Sequence, residues 1–265
     1  MDTPTRWRNF TPGWISKSII RKRSLPVRSL FTIKRLKIVI FLLSLGPLAY
    51  LVWGVFHDNL GPNPIEKITH ETGDWILIFL MLTLSITPLR KITHLQSLIR
   101  FRRMLGLFAF FYACLHFTTY IWLDKFFDFP EMVKDVGMRP FITAGFTAFV
   151  LLIPLAVTST AGWIRRLGGK RWQMLHRLIY ISAAAGVVHY LWLVKSDIRK
   201  PLQYGTVLLV LLSYRLVSGL VENLRKKKAP EKTRSELVML LPQKTLPRTT
   251  KEIGSLPPSN SLSEP

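Results

Sequence analysis

The chain has 265 residues, 49% of them hydrophobic, and a formal net charge of +22. A soluble globular domain does not combine those values, so the apolar and the basic residues must be segregated along the sequence. The single cysteine, Cys114, excludes an internal disulfide, a thiolate zinc site and an iron–sulfur cluster held by four thiolates.

Residues 1–35 are basic and rich in Pro, Ser and Thr, and they read as a mostly disordered extension, with Trp7, Trp14, Ile19 and Ile20 as candidates for a surface-lying segment. Six charge-poor runs follow, at 38–56, 75–89, 104–123, 140–164, 174–194 and 201–221. About 20 residues at about 1.5 Å each cross a hydrocarbon core of about 30 Å, and five of the runs reach or approach that length. The 75–89 run is short, but Thr72 and Gly73 ahead of it and Pro88 near its end predict a helix of about five turns completed by its flanks. No small-residue cleavage pattern follows the basic 21–37 segment, so the first run is expected to stay as a helix. Residues 223–265 read as a disordered tail. The expected fold is an all-α membrane protein, a six-transmembrane-helix bundle over 36–222.

Loop charges orient the bundle, because Lys and Arg accumulate on the cytoplasmic side. Segment 21–37 holds seven basic residues and no acid, and basic clusters recur at 90–103, 162–171 and 225–228. The opposite loops, 57–74 and 124–139, are acidic or mixed, and 195–200 is mildly basic. Both termini are therefore expected in the cytoplasm. The net charge then reflects helix ends that contact anionic lipid. No segment pairs a basic face with groove-reading side chains, so nucleic acid is not an expected partner.

Three histidines lie inside apolar runs: His116, His176 and His189. An imidazole in hydrocarbon is a candidate ligand, proton relay or buried pair. In the expected topology the third and fifth helices run the same way. His116 then lies about 18 Å and His189 about 22 Å along them, nearly level and in the outer half of the membrane. Two such imidazoles can fill both axial positions of a haem iron. His176 lies roughly 20 Å deeper, with no histidine level with it on the third helix. Thirteen residues at about 100° each also set His176 and His189 about 140° apart. A second haem would need another ligand pattern, a helix irregularity near Gly186, or a single protein ligand. His57, His70 and His94 read as solvated surface residues, and Cys114, about 200° from His116, as packing. Arg165, Arg166, Arg171 and Arg177 cluster with Lys170, either as a cytoplasmic anchor or as partners for haem propionates or a flavin phosphate. Arg215 is expected to reach toward the basic tail.

The stretches ITPLR (86–90), RFRRMLGLFAFFYACLHFTTY (100–120), TSTAGW (158–163), LGGKRWQMLHRLIY (167–180) and VHYLW (188–192), with DNLGPNPIEKITHETG from 58 onward, resemble the MsrQ (YedZ) family. The resemblance covers roughly 36–222. It implies the haem-binding membrane subunit of a periplasmic methionine-sulfoxide reductase system, within the ferric-reductase-like transmembrane superfamily. It also implies heme b, FMN in at least some members, and location in the bacterial cell inner membrane. Electrons are expected from the quinone pool, or from a cytoplasmic flavin reductase, and are passed to the periplasmic molybdoenzyme MsrP. The family's haem-linked histidines fall on His116, His176 and His189, and Arg171 and Arg177 are the candidate partners for a cofactor's acidic groups. Two other readings remain open: a membrane ferric or cupric reductase, and a proton-coupled transporter with a histidine relay. The transporter would prefer Asp or Glu within its helices, which the apolar runs lack.

Overall fold

The computed structural model describes residues 27–194 and 197–228, and all regular structure among them is helical. The chain divides into two compact units, Met1–Leu216 and Val217–Pro265. Of the second, residues 217–228 are described; they are helical, with Val217, Leu220, Val221 and Leu224 exposed.

Helix α1 spans Val27–Phe56 and α2 spans Pro64–Thr93. The start of α2 is set locally: the Asn63 side chain accepts from the Glu66 N–H at 3.3 Å and donates to the Glu66 carboxylate at 2.9 Å, with Pro64 as the first helical residue. The expected loop 57–74 is therefore helical from Pro64 onward, which places Glu66, His70, Glu71 and Asp74 on α2. α2 ends at His94, whose φ of 57° is the left-handed conformation of a helix cap.

A short 3-10 turn leads into α3 (Ile99–Thr119), which continues as a π turn over Tyr120–Asp124. A short amphipathic helix, α4 (Phe129–Met138), fills much of the expected loop 124–139 and is capped by Asp128, which accepts from the Glu131 N–H at 3.0 Å. Helix α5 spans Pro140–Val157, and the short α6 (Ala161–Leu167) and α7 (Gly169–Leu175) follow. Gly168, with φ of 73°, makes the tight turn between those two, a conformation that glycine adopts without a Cβ penalty. Helices α8 (Leu178–Leu193) and α9 (Arg199–Lys228) complete the described residues.

Five helices among the described residues are long and apolar enough to cross a membrane: Ile33–Phe56, Pro64–Thr93, Gln96–Asp124, Pro140–Val157 and Arg199–Leu224. The fourth and fifth expected runs are interrupted. Thr158 and Ser159 turn their hydroxyls back onto the Pro154 and Leu155 carbonyls, both at 2.6 Å, and such local bonds compete with helix propagation and end α5 at Val157. The chain turns again at His176 and Arg177, which leaves α8 with 16 residues. The irregularity near His176 thus sits at the histidine itself, and α8 is unbroken through Gly186, so azimuths counted along one continuous helix from His176 to His189 do not apply.

Packing is densest between α2 and α3 and between α5 and α8. In the second pair Ser182, fully buried, donates to the Ala148 carbonyl at 2.9 Å; one turn further along α8, Gly186 gives room to Leu77 of α2, from which a Cβ there would stand 3.2 Å. Leu77, Leu80, Leu84, Phe108, Ala109, Leu152 and Ala183 form the core, while Ile38, Leu42, Leu43, Trp53, Val207 and Leu209 point outward, where lipid tails solvate them. Arg215 turns inward instead of reaching for the tail. Its guanidinium donates to the Tyr180 hydroxyl, to Thr87 Oγ1 at 2.7 Å and to the Leu84 carbonyl at 3.3 Å, tying α9 to α2 and α8. Donors in an apolar setting are costly to leave without acceptors, and the bundle supplies them nearer than solvent.

Pro47 lies inside α1, and there Tyr112 of α3, fully buried, enters the helix. Its hydroxyl donates to the Ser44 carbonyl at 2.8 Å and accepts from the Leu48 N–H at 3.2 Å, two groups that bond each other in an unbroken helix. Tyr112→Phe is expected to cost about 1–3 kcal/mol of stability, the range for removing one partner of buried polar groups. The measurement is thermal unfolding in detergent, and an unchanged Tm would show that the bridge contributes nothing.

Candidate functional site

A cavity of about 900 Å³ lies among α2, α3, α4, α5 and α8. Its floor is apolar, with Leu77, Leu80, Phe149 and Leu152, and its mouth is polar, with Asn63, Glu66, Asp124 and Arg139. His116 and His189 face each other across it with ring centroids 6.2 Å apart and ring planes at 82°.

The two rings are held alike. The His116 Nδ1 lies 3.0 Å from the Thr69 carbonyl and 3.2 Å from the Thr72 hydroxyl; the His189 Nδ1 lies 2.6 Å from the Phe141 carbonyl. A carbonyl oxygen only accepts, so each Nδ1 carries the proton and each Nε2 keeps its lone pair. Neither Nε2 has a hydrogen-bond partner among the described residues. In an α-helix, the side chain at position i+4 overlies the carbonyl of residue i. Gly73 is four residues after Thr69 and Gly145 is four after Phe141, so in both places a missing side chain opens the carbonyl to the incoming imidazole. A Cβ on Gly73 would stand 3.3 Å from the His116 ring, and one on Gly145 would stand 2.7 Å from the His189 Nδ1.

This arrangement fits a metal ion ligated from two sides. With metal–imidazole bonds of about 2.0–2.1 Å and ring centres about 1 Å further back, two axial imidazoles on one ion have centroids roughly 6–6.5 Å apart. A backbone carbonyl on the other ring nitrogen is the usual device for fixing a ligating tautomer. Among the described residues no group of three or more His, Cys, Asp or Glu could hold a bare ion, and the apolar cavity has room for a macrocycle that would supply further ligands.

His176 lies elsewhere, outside the lining of this cavity. Its ring stacks on Trp172 at 3.9 Å, its Nδ1 donates to the Trp172 carbonyl at 3.1 Å, and its Nε2 is 3.5 Å from the Ser159 hydroxyl. No second histidine faces it among the described residues. Arg171 and Arg177 are exposed and also lie outside the cavity lining. His57, stacked on Trp53, and His94 are exposed, as the sequence predicts; His70 is exposed too but lines the cavity mouth.

An ion network stands beside the mouth and reaches it through Tyr120 and Arg139. Lys125 Nζ donates to Asp135 Oδ2 at 2.6 Å and to Glu131 at 2.8 Å; the Tyr120 hydroxyl donates to the same Asp135 oxygen at 3.4 Å, and the Arg139 guanidinium pairs with the other, its Nε 3.1 Å away. The Lys125 hydrogen bond holds the Asp135 carboxyl below its ordinary value, and the hydrogen bonds to Asp135 and Glu131 hold the Lys125 ammonium above its own. For a depressed carboxyl the stabilisation is present above its ordinary range and is lost as pH falls through the native value. Amide exchange in α4 is therefore expected to accelerate, beyond the intrinsic rate change, on acidification below the carboxylate range. Protection that does not change over that interval would refute this latch.

A family model described as ferric reductase like transmembrane component matches residues 72–187. The chain is 58% identical over 183 residues to the protein-methionine-sulfoxide reductase heme-binding subunit MsrQ of Herminiimonas arsenicoxydans, covering 68% of this chain and 84% of that protein. It is 52% identical over 183 residues to the protein of that name from Azospira oryzae, covering 69% and 78%. The protein of that name from Caulobacter vibrioides is 47% identical over 181 residues, covering 68% and 86%.

Proposed function

The chain belongs to the MsrQ family, and on that premise we propose that it is the b-type cytochrome subunit of a protein-methionine-sulfoxide reductase system. It is a multi-pass membrane protein, and the location proposed is the bacterial inner membrane. The haem-binding domain is 36–222, with six spans: the five long helices and α8, whose 16 residues give about 24 Å and which α7 prolongs beyond the turn at His176. The basic segments then stand in the cytoplasm with both termini, and the cavity mouth faces the periplasm.

The observation that carries this reading is the pair of imidazoles 6.2 Å apart, each with its Nδ1 proton on a backbone carbonyl. Haem b held by His116 and His189 supplies a one-electron carrier whose potential is set by its axial ligands, its burial and nearby charge. The Thr69 and Phe141 carbonyls keep both Nε2 lone pairs aimed at the gap. Leu77, Leu80, Phe149 and Leu152 exclude water from the floor, which keeps the site in a low dielectric. The chain relays single electrons from the quinone pool, or from a cytoplasmic flavin reductase, to the periplasmic molybdoenzyme MsrP, where methionine sulfoxide in oxidised proteins is reduced. His176 is a third candidate ligand, its Nε2 toward Ser159. FMN rests on the family resemblance alone, with Arg171 and Arg177 as candidate partners for its phosphate.

An absorption spectrum of the detergent-purified protein tests the cofactor, and electron transfer to a purified periplasmic molybdoenzyme tests the partner. A Soret band with split low-spin α and β bands is the expected result. Absence of a Soret band would overturn the reading and favour a histidine-relay transporter.

A further inference from the structure

We propose that Arg139 anchors the carboxylate edge of the haem, an assignment that rests on His116 and His189 being its axial ligands. Haem is amphipathic within its own plane: most of its rim is hydrocarbon, and two ionised propionates leave from one edge. The cavity is amphipathic along its length. Toward the floor it offers Leu77, Leu80, Ala148, Phe149 and Leu152; toward the mouth it offers Asn63, Glu66, Asp124 and Arg139. An unpaired carboxylate in the apolar end would be far more costly than one at the mouth, so the orientation follows from burial alone. The propionates must point at the mouth.

Charge at the mouth is unfavourable to them except at one place. Glu66, Asp74 and Asp124 line the cavity, and the Asp74 carboxylate lies 3.1 Å from the Lys200 ammonium. Among the described residues lining the cavity, Arg139 is the sole Lys or Arg. It caps α5, two residues before Phe141 and six before Gly145, the pair against which the His189 ring docks, and so stands about 3–9 Å toward the mouth from that ring. Its Nε is engaged by Asp135 at 3.1 Å, while its two Nη groups have no hydrogen-bond partner among the described residues. That is the side of a guanidinium that grips a carboxylate with two parallel bonds. Asp135 is itself held by Lys125 at 2.6 Å and is buried, so it fixes the direction of Arg139. Arg171 and Arg177, the candidates for this task by sequence, lie outside the cavity lining, and Arg177 is about 18 Å along the chain from His189.

The test uses the full-length protein in detergent, comparing the parent with Arg139→Gln, Arg139→Lys and Asp135→Asn. Two quantities are read: the rate of haem transfer to excess apomyoglobin, and the haem midpoint potential by spectroelectrochemistry. Ferric haem carries one more positive charge than ferrous, so a propionate left without its cation favours the ferric state. Arg139→Gln is expected to speed haem loss about threefold, the effect of losing a half-exposed ion pair. Its reduction equilibrium should move about threefold toward ferric, or about 28 mV at 59 mV per tenfold for one electron. Arg139→Lys, which keeps the charge without the fork, should fall between. Asp135→Asn removes a negative charge from beside Arg139 and should move the potential the other way. Opposite signs for Arg139→Gln and Asp135→Asn support the anchor. Shifts of the same sign would mean a merely structural network, and parental values in Arg139→Gln would mean that the propionates are bound elsewhere; either result overturns the assignment. A parent protein without a bis-imidazole spectrum would overturn the axial pair first, and this assignment with it.

Discussion

Replacing either His116 or His189 by alanine is expected to abolish the low-spin haem spectrum. On the proposed axial pair the two imidazoles are interchangeable in this respect, because a low-spin iron would need a strong ligand on each face and the cavity presents one imidazole from each of two walls. Loss of one leaves a five-coordinate or water-ligated iron, with a shifted Soret band and collapsed α and β bands. Affinity falls too, by more than the about 10–100-fold typical of losing a hydrogen-bond partner of a ligand, since a ligand itself is gone. His176→Ala is the internal comparison: its ring stacks on Trp172 outside the cavity, so the spectrum of the pair should survive. The measurement is the ferrous-minus-ferric difference spectrum with haem-to-protein stoichiometry. Retention of parental low-spin bands in both His116→Ala and His189→Ala would falsify the axial pair.

Much of this site is legible in the sequence, and the limits are physical. Hydrophobic runs reveal helices because lipid demands them, and one rise per residue puts His116 at about 18 Å and His189 at about 22 Å; the second figure counts through the turn at His176, yet the two rings do face each other. The start of α2 is missed by hydropathy, whose run begins only at residue 75 with Thr72 and Gly73 as its flank; the local signal is Asn63, Pro64 and Glu66, a cap, a first-turn proline and a reciprocal acid. The breaks at Thr158 and at His176 were not legible. They arise from hydroxyls bonding backward and from a tertiary turn, neither of which changes mean hydropathy. Least legible were the Thr69 and Phe141 carbonyls, because every residue has one and only the docked ring makes these two special. Gly73 and Gly145 were the available trace of them, and a glycine's meaning depends on what approaches it. Arg139 was likewise visible as a charge, but counted with its loop for topology, its place at the cavity mouth was hidden.

Gly145→Ala should therefore be as damaging as loss of a ligand, although it adds a single methyl group far from any charge. A Cβ there would lie 2.7 Å from the His189 Nδ1 and 3.0 Å from both Cγ and Cε1, so three atoms of one rigid ring are struck at once. Rotating the ring away breaks the 2.6 Å contact with the Phe141 carbonyl, which fixes the tautomer, and swings Nε2 out of line with His116. Backbone relief is closed off because α5 is packed along α8 through the Ser182 bond to Ala148. Overpacking of this kind costs about 1–3 kcal/mol, which at this site is taken from haem binding and corresponds to about 5- to 150-fold in affinity. Gly73→Ala meets the His116 ring at 3.3 and 3.5 Å, a contact that a shift of a few tenths of an ångström relieves, so its loss should be smaller. Gly46→Ala, with nothing within 4 Å, should retain parental haem. The ordering, Gly145→Ala below Gly73→Ala below Gly46→Ala in haem content and low-spin absorbance, separates a specific clash from the general effect of a methyl group in a membrane helix. Equal haem in all three would mean that His189 does not dock on Phe141 in the loaded protein.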